Sequence, residues 1–418
     1  MSIKSKLADL PGYNKAVLPY HYWRDFRAAS RYNYPAAGMT VIAVTGTSGK
    51  TTTCNMIFNM LKEAGFKVGL LTTVSWGDWR GLKPDELHLT TASRKALNER
   101  ISTLRDAGVE YLVMEVSSHA LAQGRIFGIP IDTAVLTNVT HEHLDYHRTL
   151  ENYRRAKLKL FHKAKFSVIN ADDDSAKLFE KNSREYITYG INYGELRAKS
   201  PKVDLFGVKY IISDINLKIS TQIPGQFNIY NSLAAAAVGR HYGLSGKQIA
   251  HGIASLAGVA GRMNRIDEGQ NFTVIVDFAH KPDAMDKVFK SLGQVGGKVI
   301  TLFGLPGRRD STNRAIMGKL AGENSDYVIV TEDDSRDEPV EKISGQIVEG
   351  LDKSGNKNYD VILNREKAIA QAFKKARKGD VVLLLGKGHE QTIIRADGVH
   401  AWDDAVVARK LLKKLQKK

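Results

Sequence analysis

The sequence lacks several features that mark secreted or membrane-embedded proteins. It has one cysteine, Cys54, so no disulfide can form within the chain. No stretch approaches the roughly 18 uninterrupted apolar residues of a membrane-spanning helix. The opening MSIKSKLADLPGYNK lacks the apolar segment of a signal peptide, and internal repeats and low-complexity linkers are absent. These absences predict a cytoplasmic protein built of ordinary globular domains.

Acidic residues are few relative to basic ones. The chain has 45 Asp and Glu against 61 Lys and Arg, which gives a formal net charge of +16. Such an excess is typical of proteins that bind nucleic acid, anionic membranes or acidic small molecules. No RNA-recognition, zinc-finger or helix-turn-helix signature accompanies the charge. We therefore interpret the charge as favouring polyanionic substrates over nucleic acid.

Length and hydrophobic patterning predict a multidomain α/β chain. The 418 residues suggest roughly two to three domains. Residues 1–38 are too few for a domain and are expected to form a short N-terminal arm. Residues 39–256 alternate apolar strands with helices. The alternation restarts in residues 257–418 with four further strands, in FTVIVDFAH, KVITLFG, DYVIVTEDD and GDVVLLLGKGHE. We predict a central P-loop-type α/β domain followed by a Rossmann-like α/β domain, with ligand-binding residues at the carboxyl ends of the strands.

A candidate phosphate-binding loop lies in VTGTSGKTTT, residues 44–53. The usual P-loop spacing calls for a glycine at the position of Val44, but the glycine present, Gly46, comes later. The segment could be a damaged loop, a chance match or a different type of phosphate loop. An apolar strand precedes it and an amphipathic helix follows, which is the setting in which a helix N-terminus binds phosphate. This context predicts that Lys50 contacts the β- and γ-phosphates and that Thr51 binds Mg²⁺.

Acidic and imidazole side chains follow the next predicted strands. Glu115 closes the strand YLVME, and His141, His143, Asp145 and His147 lie in THEHLDYH after another strand. A single histidine in such a segment is commonly a packed or surface residue. Polar residues this dense, in the same sheet as a phosphate loop, instead predict a divalent-cation site beside the phosphates. The residues alone thus indicate a Mg²⁺-dependent, ATP-using enzyme, but they do not identify what is phosphorylated or joined.

Ten motifs occur in the order found in one enzyme family: GTSGKTTT, MEVSSHALAQGR, TNVTHEHLDYH, YRRAK, GQFNIYN, GRM, VDFAHKPDAM, RRDSTNR, DDSRDEP and GKGHE. In this order the motifs resemble those of the Mur ligases over about residues 39–400. The phosphate loop of that family reads Gly-Thr-x-Gly-Lys-Thr/Ser, which accounts for the position of Gly46. The resemblance is closest to members that add the third residue of the peptidoglycan stem peptide.

The resemblance implies an ATP-dependent carboxylate–amine ligase of peptidoglycan precursor synthesis, and thus a role in cell-wall biogenesis, cell shape and cell division. The reaction would add an amino acid, meso-diaminopimelate, to UDP-N-acetylmuramoyl-L-Ala-D-Glu through an acyl phosphate. ATP and Mg²⁺ would be the cofactors, and the nucleotide-linked muramoyl dipeptide and the amino acid would be the partners. The enzyme would be a cytoplasmic monomer that neither binds nucleic acid nor inserts into a membrane.

The site residues implied by the resemblance fall into four groups. The ATP-binding group is Gly46, Thr47, Ser48, Gly49, Lys50, Thr51, Thr52, Asn138, Asn231, Arg262, Asp277 and His280. The metal-binding group is Thr51, which would bind the Mg²⁺ of ATP, and Glu115, His143 and Lys157, which would bind a second Mg²⁺. Lys157 matches a lysine that is carbamylated in the family. Lys50, Glu115, His143 and Lys157 would be the catalytic residues. The dipeptide carrier would contact Thr90, Thr91, Ser118, Gln123 and Arg125, and the amino acid would contact Arg309, Asp333, Asp334, Arg336, Gly386 and Glu390.

The pair Arg336 and Glu390 underlies the choice of amino acid. Arg336 can bind the distal carboxylate of diaminopimelate bidentately, and Glu390 can accept a hydrogen bond from its ammonium group. Lysine lacks that carboxylate and would leave the guanidinium without a partner. The alternative is that Arg336 is a solvated surface residue paired with Asp337 or Glu338. We predict diaminopimelate over lysine.

The sequence departs from the family pattern at several positions. The usual N-terminal UDP-binding domain has no counterpart in residues 1–38, Asn264 replaces a usual glutamate, Arg308 stands where an acidic residue is common, and DDSR replaces Asp-Asn-Pro-Arg. Two alternatives therefore stay open. One is a related ligase that acts on a polyglutamate or lipid-linked carrier, and the other is a nucleotide-binding protein without turnover. The retained phosphate- and metal-binding residues argue against the second.

Overall fold

The computed structural model describes residues 30–86, 89–293 and 295–416, with the backbone alone for Asp145. The arm predicted for residues 1–38 therefore lies mostly outside the described residues. The chain divides into two compact units. The first comprises Met1–Pro201, Lys209–Thr221 and Phe227–Leu256, and the second comprises Lys202–Val208, Gln222–Gln226 and Ala257–Lys418.

One large sheet, flanked by helices, dominates the first half of the chain. Its described strands are β1 (Thr40–Thr45), β2 (Val68–Leu71), β3 (Ser75–Asp78), β4 (Gly81–Pro84), β5 (Tyr111–Glu115), β6 (Thr133–Leu136), β7 (Phe166–Asn170), β8 (Glu185–Gly190), β9 (Leu196–Asp204), β10 (Gly207–Ile212) and β11 (Leu217–Thr221). The helices are α1 (Lys50–Glu63), α2 (Arg94–Asp106), α3 (Ser118–Ala122), α4 (Leu144–His147), α5 (Leu150–Phe161), α6 (Ala176–Lys181), α7 (Phe227–His241) and α8 (Gly246–Ala254). The strand order is β11-β10-β9-β8-β7-β6-β1-β5-β2-β3-β4.

Parallel pairing in the centre of this sheet brings three functional segments to one edge. β1 lies between β5 and β6, and all three are parallel and almost entirely buried, as expected for strands covered on both faces. Val44 lies beside Glu115, and Thr45 lies beside Leu136. The loop after β1, Glu115 in β5 and the segment after β6 therefore meet at the carboxyl edge of the sheet.

A second sheet organises the C-terminal unit. Its strands are β12 (Asn264–Ile266), β13 (Thr273–Asp277), β14 (Val299–Phe303), β15 (Tyr327–Val330), β16 (Tyr359–Val361) and β17 (Val381–Leu385), in the order β12-β13-β17-β14-β15-β16. A separate hairpin consists of β18 (Thr392–Arg395) and β19 (Gly398–Ala401). The helices are α9 (Pro282–Ser291), α10 (Thr312–Asn324), α11 (Val340–Ser354), α12 (Arg365–Lys375) and α13 (Asp404–Gln416).

The four strands predicted for this half are β13, β14, β15 and β17, and they pair in parallel. Asp277 and Phe303 both lie beside Leu385, and Phe303 also lies beside Val330. The segments that follow these strands thus share one edge. The predicted α/β class is confirmed for both halves of the chain. No helix formed by the described residues is both long and apolar enough to cross a membrane.

Candidate active site

The phosphate loop joins β1 to α1. Gly49 precedes α1 with a φ of 86°, in the left-handed region that favours glycine, and none of the described side chains caps the helix start. A Cβ atom on Gly46 would lie 1.8 Å from Thr137 Oγ1, so only glycine fits there. Val44 is a buried residue of β1 and takes no part in the turn. The late glycine therefore belongs to this loop's geometry, and the uncapped N-terminus of α1 suits an anion.

Lys50 reaches back over this loop. Its Nζ donates hydrogen bonds to the carbonyl oxygens of Gly46 at 3.0 Å and Thr47 at 2.8 Å. Thr51 and Thr52 are buried in the first turn of α1. A lysine held on the loop carbonyls beside an uncapped helix start is placed where an ammonium group can contact phosphate oxygens. The residues present thus fit the phosphates of a nucleotide.

Two asparagines predicted to bind nucleotide brace the loop itself. Asn138 Oδ1 accepts from the Ser48 backbone amide at 2.9 Å, and Asn138 Nδ2 donates to the Ser48 carbonyl at 2.9 Å. Asn231 Oδ1 accepts from Thr53 Oγ1 at 3.2 Å, and a Cβ on Gly49 would lie 2.5 Å from the same oxygen. Asn138 therefore fixes the shape of the phosphate loop, and Asn231 contacts the first turn of the helix that follows it.

Two of the predicted metal ligands lie at the same sheet edge. Glu115 is 2% exposed, and its carboxylate accepts hydrogen bonds from the Thr73 amide at 3.1 Å and the Thr73 hydroxyl at 3.2 Å. His143 precedes α4 with a φ of 56°. Its ring centroid lies 4.9 Å from that of His119 and 6.2 Å from that of Tyr153. Carboxylate oxygen and imidazole nitrogen are donors that a divalent cation can use.

Lys157, the third predicted metal ligand, is fully buried in α5. Its Nζ has no hydrogen-bond partner among the described residues and lies 4.4 Å from the centroid of the Tyr153 ring. Burial, reinforced by the positive charge of Lys50, holds the pKa of Lys157 well below its ordinary value. An uncharged amine is the form that can add to carbon dioxide. The site therefore fits a carbamylated lysine, whose carboxylate would replace a cation that repels Mg²⁺.

Residues predicted to bind the dipeptide cluster beside β5. Arg125 donates to the Thr91 carbonyl at 2.9 Å through Nη1 and to Gln123 Oε1 at 2.9 Å through Nε. Burial lowers the pKa of Arg125. Thr91 Oγ1 accepts from the Ser117 amide at 3.0 Å. An adjoining cleft has as its polar lining Thr72, Asp85, Thr90, Thr91, Arg100 and Glu115.

The two serines of the MEVSSH motif face different surroundings. Ser118 is 2% exposed, and its hydroxyl lies 3.0 Å from His147 Nε2. Ser117 is less buried and caps α3, where its hydroxyl lies 3.4 Å from that of Thr91. His147 is thus a packed residue, whereas His141 is exposed. Ser117, rather than Ser118, lies among the predicted carrier-binding groups.

The predicted nucleotide residues of the C-terminal unit converge on Phe278. Asp277, at the end of β13, accepts from the Met263 amide at 2.7 Å. Burial raises the pKa of Asp277, and the charge of Arg262 opposes that rise. Arg262 Cζ lies 5.3 Å from the centroid of the Phe278 ring. His280 Nδ1 lies 2.8 Å from the Phe278 carbonyl oxygen, and burial lowers the pKa of His280.

Acidic residues predicted to bind the amino acid gather where β15 and β17 end. Among the described residues, one group of three acidic or imidazole side chains has ligand atoms within 4.8 Å of one another, and it consists of Asp333, Asp334 and Glu390. Lys387 Nζ lies 2.7 Å from Asp334 Oδ1 and 2.6 Å from Glu390 Oε2. The ammonium group of Lys387 therefore already lies among these three carboxylates. A Cβ on Gly386 would lie 2.8 Å from Asp333 Oδ2, which accounts for the glycine.

Arg336 belongs to the same edge of the sheet. Its backbone has a φ of 54°, and its Nη1 donates to the Gly307 carbonyl at 2.7 Å. Asp337 is bound bidentately by Arg308, at 2.8 and 2.6 Å. Within residues 30–86, 89–293 and 295–416 no carboxylate pairs with Arg336, so its guanidinium can receive one from a ligand. Arg309 is exposed.

The sequence analysis did not predict three residues that lie among the predicted site residues: Tyr153, Ser117 and Lys387. Tyr153 stands four positions before Lys157 in YRRAK, a spacing that places both on one face of a helix. Ser117 directly precedes the serine that was chosen. Lys387 lies between the two glycines of GKGHE, and a lysine flanked by glycines carries no local signal of burial.

Family models match most of the chain. The Mur ligase middle domain matches residues 44–239, and the Mur ligase glutamate ligase domain matches residues 261–388. The chain is 36% identical over 394 residues to UDP-N-acetylmuramoyl-L-alanyl-D-glutamate–2,6-diaminopimelate ligase 1 of Clostridium acetobutylicum, covering 93% of this chain and 81% of that protein. It is 39% identical over 396 residues to the corresponding ligase of Geobacillus thermodenitrificans, covering 91% and 80%.

Solved structures share the fold. A UDP-N-acetylmuramoyl-L-alanyl-D-glutamate–2,6-diaminopimelate ligase superposes with a TM-score of 0.69 at 31% identity, covering 91% of this chain and 80% of that one. A folylpolyglutamate synthase of Mycobacterium tuberculosis superposes with a TM-score of 0.70 at 16% identity, covering 94% and 95%. At that identity, the second likeness establishes the fold alone.

Proposed function

Because the chain belongs to the Mur ligase family, we propose that it joins meso-diaminopimelate to UDP-N-acetylmuramoyl-L-Ala-D-Glu at the expense of ATP, in peptidoglycan precursor synthesis. Relatives that are 36% to 39% identical bear the name of this activity. The observation that carries the proposal is one sheet edge that holds the phosphate loop and Glu115, with Tyr153 beside it. The Tyr153 hydroxyl lies 3.1 Å from Thr47 Oγ1 in that loop, and its ring centroid lies 4.4 Å from Nζ of the buried Lys157 and 6.2 Å from the ring centroid of His143. These are the parts that phosphoryl transfer from ATP requires.

The first step activates a carboxylate. An oxygen of the dipeptide carboxylate attacks the γ-phosphorus of ATP, the bond to the β–γ bridging oxygen breaks, and ADP leaves with that oxygen. Lys50 and the N-terminus of α1 stabilise the negative charge on the phosphates. Thr51 would hold one Mg²⁺ beside the phosphates of ATP, and Glu115, His143 and a carbamylated Lys157 would hold a second, and both ions when bound supply further positive charge at the transferring group.

The second step forms the amide bond. The amine of the amino acid attacks the acyl carbon, a tetrahedral intermediate forms, and phosphate leaves as the nitrogen loses its proton. Thr91, Gln123 and Arg125 orient the carrier, with Ser117 beside them. Arg336 binds the distal carboxylate of diaminopimelate, and Glu390 accepts a hydrogen bond from its ammonium group.

In this proposal the two domains bind different substrates, and both contact ATP. Residues 39–256 bind the phosphates of ATP and the carrier, and Asn138 and Asn231 contact the nucleotide beside the phosphate loop, which Asn138 also braces. Residues 257–418 bind the amino acid, and Arg262, Asp277 and His280 contact the nucleotide. The enzyme acts as a monomer in the cytoplasm.

Phosphate release by the purified protein tests this function. The assay supplies ATP, Mg²⁺, UDP-N-acetylmuramoyl-L-Ala-D-Glu and one candidate amino acid at a time. We expect release that requires both the carrier and diaminopimelate. A parallel assay with a folyl-polyglutamate acceptor and glutamate tests whether the enzyme acts on another carrier instead. Turnover with that acceptor alone, or nucleotide binding without any phosphate release, would contradict the proposal.

A further inference from the structure

Lys387 lies at the centre of the acidic group of the C-terminal unit. Its side chain is fully buried, and its Nζ lies 2.6 Å from Glu390 Oε2, 2.7 Å from Asp334 Oδ1 and 3.8 Å from Asp333 Oδ1. The ammonium group therefore contacts the carboxylates that follow two different strands, β15 and β17. The buried ammonium group thus connects the loop after β15 with the loop after β17, a connection that the sequence alone does not predict.

The two glycines that flank Lys387 explain why it points inward. Gly386 and Gly388 have φ angles of 105° and 55°, both in the region that favours glycine. A Cβ on Gly388 would lie 2.6 Å from Phe278 Cβ, and a Cβ on Gly386 would lie 2.8 Å from Asp333 Oδ2. The chain can make this close turn only with glycine on either side of the lysine. The Gly-Lys-Gly turn thus places the ammonium group of Lys387 beside the acidic residues.

The electrostatics of the group depend on this lysine. Burial raises the pKa of both Asp333 and Glu390, and the charge of Lys387 opposes the rise in each. Arg365 also opposes it at Asp333, whereas the neighbouring carboxylates add to it. Burial disfavours the charged form of Lys387, but the surrounding carboxylates outweigh it and raise the pKa of Lys387. Lysine and carboxylates therefore each favour the charged form of the other.

Glu390 and Asp334 each have one carboxylate oxygen that can accept from a ligand. Glu390 Oε2 and Asp334 Oδ1 contact Lys387, whereas Glu390 Oε1 and Asp334 Oδ2 accept no hydrogen bond from the part of the chain that the structure describes. Asp334 Oδ1 also accepts from the Ile394 amide at 3.0 Å, and the Ile394 carbonyl accepts from the Arg336 amide at 3.0 Å. The same hairpin residue thus anchors the acidic group and the backbone of Arg336.

We propose that Lys387 is a positioning residue for recognition of the incoming amino acid: it fixes the carboxylates of Glu390 and Asp334 so that their remaining oxygens face the ammonium group of a diamino acid. The inference rests on the proposed function and names a residue that acts through others. Three carboxylates and one internal ammonium leave the group anionic. It therefore attracts an ammonium group, while Arg336 attracts the carboxylate beside it.

Steady-state kinetics of Lys387→Met and Lys387→Arg, in the full chain, test this role. Methionine keeps the length of the side chain and removes its charge, and arginine retains the charge. Because a hydrogen bond to a charged group contributes about 1.5–3 kcal/mol, we expect Lys387→Met to raise KM for diaminopimelate about tenfold or more. KM for ATP and for the carrier should change less than about twofold, since the proposed function assigns neither substrate to this group. Lys387→Arg should recover at least part of the affinity for diaminopimelate.

Three outcomes would overturn the role of Lys387: an unchanged KM for diaminopimelate in Lys387→Met, an equal rise in all three KM values, or a Lys387→Arg variant no better than Lys387→Met. If Lys387→Met is unfolded, Lys387→Gln, which removes the charge but keeps a hydrogen-bond donor, is judged by the same comparison of the three KM values. Turnover by the parent protein distinguishes a failure of the proposed function from a failure of the role of Lys387. Lack of turnover by the parent contradicts the proposed function, whereas an active parent with unaffected variants contradicts only the role of Lys387.

Discussion

The side-chain nitrogen of Lys157 lies 4.4 Å from the centroid of the Tyr153 ring, and the Tyr153 hydroxyl lies 3.1 Å from Thr47 Oγ1 in the phosphate loop. One turn of α5 thus connects a buried amine to the loop that is expected to bind ATP. Burial also raises the pKa of Tyr153, to about 12, so the ring remains a neutral phenol beside the amine. The surroundings of Lys157 therefore favour an uncharged amine, which is the reactive form.

We predict that Lys157 is carbamylated in the active protein. Lys157→Ala should lose nearly all ligase activity, because the metal loses an anionic ligand, and short carboxylic acids added to the assay should restore part of it. In the parent, incubation with ¹³C-bicarbonate should give a carbamate signal by NMR that is absent from the variant. Lys159→Ala, at an exposed position of α5, is the matched control and should keep both activity and signal. Full activity of Lys157→Ala without additives would refute carbamylation.

We predict that Lys50→Ala abolishes ATP turnover and leaves the fold intact. The loss of one preorganised charge at a transferring phosphoryl group commonly costs about a hundredfold or more in kcat. Lys62→Ala, an exposed lysine in the last turn of α1, controls for general effects on the helix. Phosphate release and thermal melting are measured on both variants. Parent-like turnover by Lys50→Ala with an unchanged melting curve would show that the loop is not the ATP site.

We predict that diaminopimelate is preferred over lysine and that Arg336 sets the preference. Arg336→Ala should lower kcat/KM for diaminopimelate and bring the ratio of the two amino acids close to unity, because only diaminopimelate carries the distal carboxylate. Arg308→Ala removes a neighbouring guanidinium that already binds Asp337 and should leave the ratio unchanged. A parent that prefers lysine, or a ratio that survives Arg336→Ala, would disprove this assignment.

We predict an acid-sensitive contribution to stability from Glu338. Both of its oxygens accept hydrogen bonds from Arg314, each at 2.9 Å, and these bonds lower the pKa of Glu338 to about 2. Because the folded-state pKa lies below the unfolded one, this contribution is present above about pH 4.5 and is lost as the pH falls toward 2.

The test compares thermal melting of the parent with that of Glu338→Gln across this pH range. The variant should have the lower Tm at neutral pH, and the difference should shrink as the solution becomes more acidic. Glu349→Gln, at an exposed position of α11, is the control and should follow the parent. A difference in Tm that is independent of pH would contradict the predicted linkage.

Much of the sheet architecture could be predicted from local sequence. β1, β5 and β7 are short apolar runs that end at polar residues or glycines, and such runs are buried in parallel sheets wherever they occur. The phosphate loop could be located because its strand and helix flank it directly. The short strands β12 and β16 could not be predicted, since three residues carry too little periodicity.

The partners of the site residues were less predictable. The resemblance assigns Asn138 to the nucleotide, but it does not show that the Asn138 amide also pairs with Ser48, which lies 90 positions earlier. Ser117 and Ser118 are chemically identical neighbours, and only the start of α3 decides that one caps the helix while the other meets His147. Such pairings depend on tertiary geometry, which a pattern of residue types does not contain.

Mass analysis of the reaction product tests the central claim most directly. The purified chain is incubated with ATP, Mg²⁺, UDP-N-acetylmuramoyl-L-Ala-D-Glu and diaminopimelate, and the carrier is then separated and weighed. We predict a carrier heavier by one diaminopimelate less one water, with one ADP formed for each molecule of product. An unmodified carrier after prolonged incubation, or a modified carrier formed without ADP, would contradict the assignment of this chain as an ATP-dependent ligase of the muramoyl dipeptide.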